Sequence, residues 1–174
     1  DACAGAGGKS LHLAALMENK GQITALDIYS HKLNELKRRA RRAGAHNITT
    51  RQIISNKVVK KLQNRADRVL IDSPCTGLGV LRRNPDAKWK IDADFLERVK
   101  QTQQQILSAY ASIVKPGGKL IYATCSILKD ENQEQVEQFL KSSKGTEFTL
   151  EKDYFVSPAK SGFDGFYMAR MIRS

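Results

Sequence analysis

The chain has 174 residues, 41% hydrophobic and 27% charged, a size and balance that build one globular core. No apolar run approaches the roughly 18 residues of a membrane span. The 29 Lys+Arg against 18 Asp+Glu leave a formal charge of +11, which favours a polyanionic partner.

Asp1-Ala2-Cys3 reads as the end of a strand whose apolar part is absent, so the sequence is expected to be a piece of a longer product with material before Asp1. A glycine-rich loop follows, then a helix over 10–17 with Leu11, Ala14 and Ala15 on one face and Ser10 as its cap. The β-branched run 22–28 predicts a strand ending near Asp27. A basic helix over 30–43 is stopped by Gly44, and 47–54 predicts another strand. A short helix over 57–63 precedes the strand 68–72. Residues 73–90 form an 18-residue loop rich in Pro, Gly and Arg, and loops that long in a compact domain are usually functional. A long helix over 92–114, a Pro116-Gly117-Gly118 turn, a strand over 119–124 and a helix over 130–142 come next. Strands near 148–150 and 165–171 close the chain. Strands alternating with helices give parallel βαβ units, a Rossmann-like α/β fold with a mostly parallel sheet and helices on both faces, in one domain over 1–174.

The loop Ala4-Gly5-Ala6-Gly7-Gly8-Lys9-Ser10 lets backbone approach a ligand at a helix start, where N–H groups and dipole favour an anion or carboxylate. Its Lys-Ser ending is not a P-loop, because Cys3 stands where the first glycine of G-x-x-x-x-G-K-[ST] belongs. A G-x-G-x-x-G fingerprint fails as well. Asp27, about 20 residues on at a strand end, stands where an acid accepts hydrogen bonds from ribose hydroxyls. Glycine loop plus strand-end acid describe a nucleoside cofactor, and S-adenosyl-L-methionine suits them because it has a ribose but no phosphate. Residues 3–9 (Cys3, Ala4, Gly5, Ala6, Gly7, Gly8 and Lys9), Asp27 and Asp72 are the expected cofactor contacts.

Two cysteines follow predicted strands: Cys75 in Asp72-Ser73-Pro74-Cys75 and Cys125 in Ala123-Thr124-Cys125-Ser126. In an open α/β sheet the carboxyl ends of strands form the ligand-binding rim, so two thiols there suggest one active site. Three cysteines without CxxC spacing argue against a disulfide framework or a structural metal, and reduced thiols fit a cytoplasmic location. The positive charge is clustered in Lys37-Arg38-Arg39-Ala40-Arg41-Arg42, in 57–61 and in Arg82-Arg83, which points to nucleic acid.

Three stretches carry a resemblance: residues 1–9, the run Asp72-Ser73-Pro74-Cys75-Thr76-Gly77-Leu78-Gly79-Val80-Leu81-Arg82-Arg83-Asn84-Pro85-Asp86-Ala87-Lys88-Trp89, and Tyr122-Ala123-Thr124-Cys125-Ser126. Together with Glu131-Asn132 they resemble the Sun-type RNA (cytosine-5)-methyltransferases almost end to end over the catalytic domain. Gly5-Ala6 replaces the family's usual Ala-Pro. Residues 51–56 lack the acid that in the family contacts the adenine amino group, so either Ser55 or Asn56 substitutes or the cofactor is held more weakly. The resemblance implies transfer of a methyl group from S-adenosylmethionine to carbon 5 of a cytosine. Cys125 would be the nucleophile on carbon 6. Cys75 would assist loss of the carbon 5 proton and release of the adduct, and Asp72 and Lys9 would contact the base. Arg82, Arg83, Arg38 and Arg41 are the expected phosphate contacts. Trp89 is expected to pack the long loop onto the body, and Cys3 to pack as a small buried residue. The implied partner is RNA, rRNA rather than tRNA, engaged by an expected monomer without metal.

Three rivals differ in testable ways. A DNA cytosine methyltransferase would lack the Thr-Cys-Ser strand end. An RNA-binding relic would lose the thiols, and an amine or small-molecule methyltransferase would need no cysteine pair.

Overall fold

Backbone hydrogen bonds tie the chain down from its first residue. In the computed structural model, which describes residues 1–174, the Asp1 carbonyl accepts from Leu26 N at 2.8 Å and Ala4 N donates to Leu26 O at 2.9 Å. Residues 1–4 thus lie beside strand β1 (Ile23–Asp27) as a turn rather than as the strand end expected of Asp1-Ala2-Cys3. Helix α1 (Gly8–Leu16) leaves the glycine loop. Helix α2 (Ser30–Arg42) buries Leu33, Leu36 and Ala40, spaced three and four apart on one stripe. That stripe packs on Ala4 and Ala25, and Gly44 takes the left-handed conformation (φ 65°) just past the helix end. Strand β2 (Ile48–Gln52) pairs parallel with β1, Asp27 opposite Gln52. The short α3 (Asn56–Lys60) completes a first compact unit, Asp1–Leu62.

The second unit, Gln63–Ser174, carries a four-stranded sheet in the order β3 (Ala66–Asp72), β4 (Val114–Thr124), β6 (Phe166–Arg173), β5 (Phe148–Val156). Helix α4 (Ala93–Ala111) packs on β3 and β4, and helix α5 (Gln133–Leu140) packs against α4. Asp92 caps α4 by accepting from Phe95 N at 2.6 Å. The helix stops three residues before the expected Val114, because the Ser112 and Ile113 carbonyls accept from Asn64, Arg65 and Ala66. The Pro116-Gly117-Gly118 turn lies inside β4 as an irregularity: the register passes from Ala66 opposite Val114 to Arg68 opposite Lys119.

β3 and β4 pair parallel, as do β1 and β2, which the βαβ alternation requires. The C-terminal strands pair antiparallel, β6 with both β4 and β5. The nine residues joining β5 to β6 are too few for a crossover. No helix is long and apolar enough to cross a membrane.

Candidate active site

The parallel register of β3 and β4 sets Asp72 opposite Ala123. The two chains therefore leave the sheet at the same edge, and three and two residues later they reach Cys75 and Cys125. Their sulfurs stand 3.3 Å apart without a disulfide. Asp72 is the last residue of β3 and is half-buried. The loop after Cys75 is pinned over Cys125: Gly79 N donates to the Cys125 carbonyl at 2.9 Å, and Gly165 N donates to Gly79 O at 2.7 Å. A Cβ on Gly79 would stand 2.3 Å from Gly165 O and 2.7 Å from Cys125 O, so only glycine fits.

The Cys75 thiol is pushed well above its ordinary range, first by its hydrogen bond to Cys125, then by burial and by negative charge on Cys125. Two sulfurs in contact do not both ionise, and the direction of the shift keeps the proton on Cys75.

Beneath the thiols lies a carboxylate whose structural role the sequence did not disclose. Glu131 is fully buried, and its Oε1 accepts from Thr76 N (2.8 Å) and Gln103 Nε2 (3.0 Å). Its Oε2 accepts from the hydroxyls of Thr76 (2.5 Å) and Ser126. Asn132 accepts from the Thr124 hydroxyl at 2.5 Å and donates to the Ser126 carbonyl at 3.0 Å. Thr76 follows Cys75 and Ser126 follows Cys125, so the residues after both thiols converge on one side chain. Glu131-Asn132 had only the resemblance as a signal; their partners lie up to 55 residues away.

In the first unit, Asp27 is nearly buried and accepts from Gly5 N through Oδ2 and from Tyr29 N through Oδ1, both at 2.8 Å. Each carboxylate oxygen has a second lone pair, so the acid shapes the loop and keeps acceptor capacity for hydroxyls. Gly7 has φ 86°, and a Cβ there would stand 2.4 Å from Leu36 Cγ. Around Gly5 and Gly8 a Cβ would meet nothing within 4 Å, which leaves the backbone there open to a ligand. Arg39 of the basic helix donates to the Ala6 carbonyl at 2.9 Å and so braces the loop from behind. Ile28, Tyr29 and Ile54, at the ends of β1 and β2, are exposed at 56%, 48% and 78%.

The expectations for Ser10, Trp89 and Cys3 need correction. Ser10 does not cap α1; that helix begins two residues earlier, and the buried Ser10 hydroxyl donates to Asp1 Oδ2 at 2.6 Å. Trp89 does not pack the loop onto the body: it is 80% exposed, with the Lys88 ammonium 4.8 Å from its ring centroid. Two short 3-10 turns and backbone contacts hold the loop without it. Cys3 is half-buried rather than a core packer. Lys9 stands half-exposed in the first turn of α1. Arg82 and Arg83 tie the long loop to residues 162–164, Arg82 donating to Gly162 O and Arg83 pairing with Asp164, both at 2.7 Å. Arg38 pairs with Glu35, and Arg41 is exposed on the same helix. No group of three or more His, Cys, Asp or Glu is arranged to hold a metal.

A glycine loop braced by a strand-end acid and strand-end thiols on parallel βα units define a Rossmann-like methyltransferase. Residues 1–172 match the family described as 16S rRNA methyltransferase RsmB/F, and the chain belongs to that family. It is similar to the probable ribosomal RNA small subunit methyltransferase B of Bacillus subtilis (38% identical over 187 residues, 98% of this chain and 42% of the relative). The ribosomal RNA small subunit methyltransferase B of Shewanella oneidensis is 34% identical, over 100% of this chain and 42% of the relative. Among solved structures, NSun6 from Pyrococcus horikoshii with SFG superposes with a TM-score of 0.88 at 28% identity, over 99% of this chain and 47% of that one. The chain spans about two fifths of the length of these curated relatives.

Proposed function

We propose that this chain carries the chemistry of an RNA cytosine C5-methyltransferase that uses S-adenosyl-L-methionine and acts on small-subunit rRNA, as its relatives are named to do. The thiol pair at 3.3 Å is the observation that carries the reading. Amine or small-molecule methylation needs no such pair.

The residues of the first unit fit the cofactor. The open backbone at Gly5 and Gly8 suits a close-lying ligand, Asp27 retains acceptor capacity for ribose hydroxyls, and exposed Ile28, Tyr29 and Ile54 suit the faces of an adenine ring. With no acid in 51–56, Ser55 or Asn56 is assigned to its amino group. Bound there, the cofactor would supply an electrophilic methyl group.

Carbon 5 of cytosine is a poor nucleophile toward a sulfonium methyl. Cys125 adds its sulfur to carbon 6, and the displaced double-bond electrons make carbon 5 enamine-like, which splits one hard step into two. Asp72 is assigned to the base edge, where it accepts hydrogen bonds and favours protonation of the ring as negative charge develops. Lys9 stands in the first turn of a helix, where the dipole disfavours a cation; a negative partner offsets that cost.

The proton on Cys75 gives the order of events. Its retention rests first on the bond to Cys125, and once Cys125 shares its electron pair with carbon 6 that cause is gone. Cys75 can then give its proton to solvent and, as the thiolate, take the carbon 5 proton. As the carbon 5–carbon 6 double bond re-forms, the carbon 6–sulfur bond breaks and the Cys75 proton again stabilises the departing Cys125 thiolate. The target base must be unpaired or flipped out to present its ring.

The test incubates full-length protein with RNA and cofactor and runs denaturing gels. Cys75→Ala should retain an RNA adduct that survives denaturation, and Cys125→Ala should form none and transfer no methyl group. An adduct from Cys125→Ala alone would make Cys75 the nucleophile. Intact activity without adduct in both variants would end covalent catalysis.

A further inference from the structure

We infer that Glu131 is the positioning residue of the thiol pair: one buried carboxylate holds the residues after Cys75 and Cys125 together and so sets the spacing on which product release depends. The inference rests on the thiol chemistry proposed above but concerns a residue that chemistry does not use.

Glu131 is 0% exposed. Burying a carboxylate is costly unless donors surround it, and this one has four: Thr76 N, the Thr76 hydroxyl, Gln103 Nε2 and the Ser126 hydroxyl. If anchoring its own short 3-10 turn were its purpose, the partners would be local. Instead three of the four donors are remote, from the loop after β3 and from α4, up to 55 residues away, and only the Ser126 hydroxyl is local. Gln103 also donates to the Pro74 carbonyl at 3.0 Å, the residue before Cys75. Cys75 is therefore held from both sides, by Gln103 at 74 and by Glu131 at 76. Cys125 is held by the end of β4 and by Glu131 at 126.

The arrangement serves the two thiols unequally. Cys125 directly follows β4, whose pairing with β3 and β6 places it. Cys75 lies three residues beyond β3, where no ladder bonds reach. Loosening Glu131 should displace Cys75 more than Cys125, leaving attack on carbon 6 largely intact and slowing release.

The experiment uses full-length protein with Glu131→Gln and, separately, Thr76→Val, which removes one hydroxyl donor at nearly constant volume. Rapid-quench samples are scored for covalent RNA adduct and for free methylated RNA. Loss of folded enzyme lowers both amplitudes together and leaves their ratio unchanged, whereas misplacement of Cys75 raises it. The expected result is an adduct-to-product ratio raised on the order of ten-fold in both variants, since a displacement of about 1 Å at a reacting group can cost up to a hundred-fold. If Glu131→Gln does not fold, Thr76→Val decides alone. A wild-type ratio in a folded Thr76→Val, or in a folded Glu131→Gln, overturns the inference. Failure of the thiol chemistry itself would look different, because Cys75→Ala would then accumulate no adduct.

Discussion

Two adjacent glycines at the start of α1 should separate folding from cofactor binding when each is replaced by alanine. Gly7 has φ 86°, and its added Cβ would stand 2.4 Å from Leu36 Cγ and 3.0 Å from Leu36 Cδ1. Leu36 is fully buried against Ala4, Ala25, Leu33 and Ala40, so it has little room to move. A left-handed alanine costs about 1–2 kcal/mol, and overpacking a core about 1–3 kcal/mol. Gly7→Ala should therefore lose roughly 2–5 kcal/mol, a large share of a typical stability of about 5–15 kcal/mol. Gly8 differs in every respect: its φ is not positive, a Cβ meets nothing within 4 Å, and it opens the helix. Gly8→Ala should leave stability unchanged or raise it by about 0.4–1 kcal/mol, by restricting the unfolded chain. Its methyl group would occupy the space proposed for the cofactor, with affinity falling at least ten-fold, about 1.4 kcal/mol. Urea denaturation and calorimetric titration with S-adenosylmethionine on the full-length protein give both quantities. Gly8→Ala binding cofactor as tightly as the parent would refute the cradle. Gly7→Ala within about 1 kcal/mol of the parent would refute the packing argument.

Asp27→Asn keeps the side chain's shape but gives up its charge-assisted bonds, so affinity for S-adenosylmethionine should drop by about 1.5–3 kcal/mol; equal affinity in equilibrium dialysis would remove the ribose role. Because the Cys125 contact is the first cause of the raised Cys75 thiol, Cys125→Ala should lower it, and iodoacetamide should modify Cys75 faster at pH 8.5 than in the parent. Equal or slower modification, read by mass spectrometry, would contradict the shared proton. Replacing exposed Arg41 by Gln should reduce the log–log salt slope of RNA binding by about 0.7–0.9, and an unchanged slope would take that helix face off the RNA. Trp89→Ala should leave the melting temperature unchanged and weaken RNA binding by about 1–3 kcal/mol if a base stacks on the exposed indole; unchanged affinity would leave Trp89 without a role in RNA binding.

The features legible in the sequence are those written in neighbouring residues. The spacing of Leu33, Leu36 and Ala40, the glycines before α1, the acid closing β1 and the cysteines just past β3 and β4 are local patterns whose physics acts within a few positions. Alternation of strands and helices then implied parallel pairing, and that pairing sends Cys75 and Cys125 to one sheet edge. Tertiary structure alone decided what depends on partners far apart in the chain. The 3.3 Å between the sulfurs follows from the Asp72–Ala123 register and from Gly79 lying on the Cys125 carbonyl. Ser10 reads as a helix cap until Asp1 lies beside it to accept its hydroxyl. Trp89 reads as a packing residue until the loop closes without it. Glu131 shows most clearly why: a glutamate in Lys-Asp-Glu-Asn has the sequence of a solvated turn, and only chain folding brings Thr76, Gln103 and Ser126 around it. Burial and hydrogen bonding are properties of the surroundings, and for a side chain whose partners lie 28 and 55 residues away those surroundings do not exist until the sheet has formed.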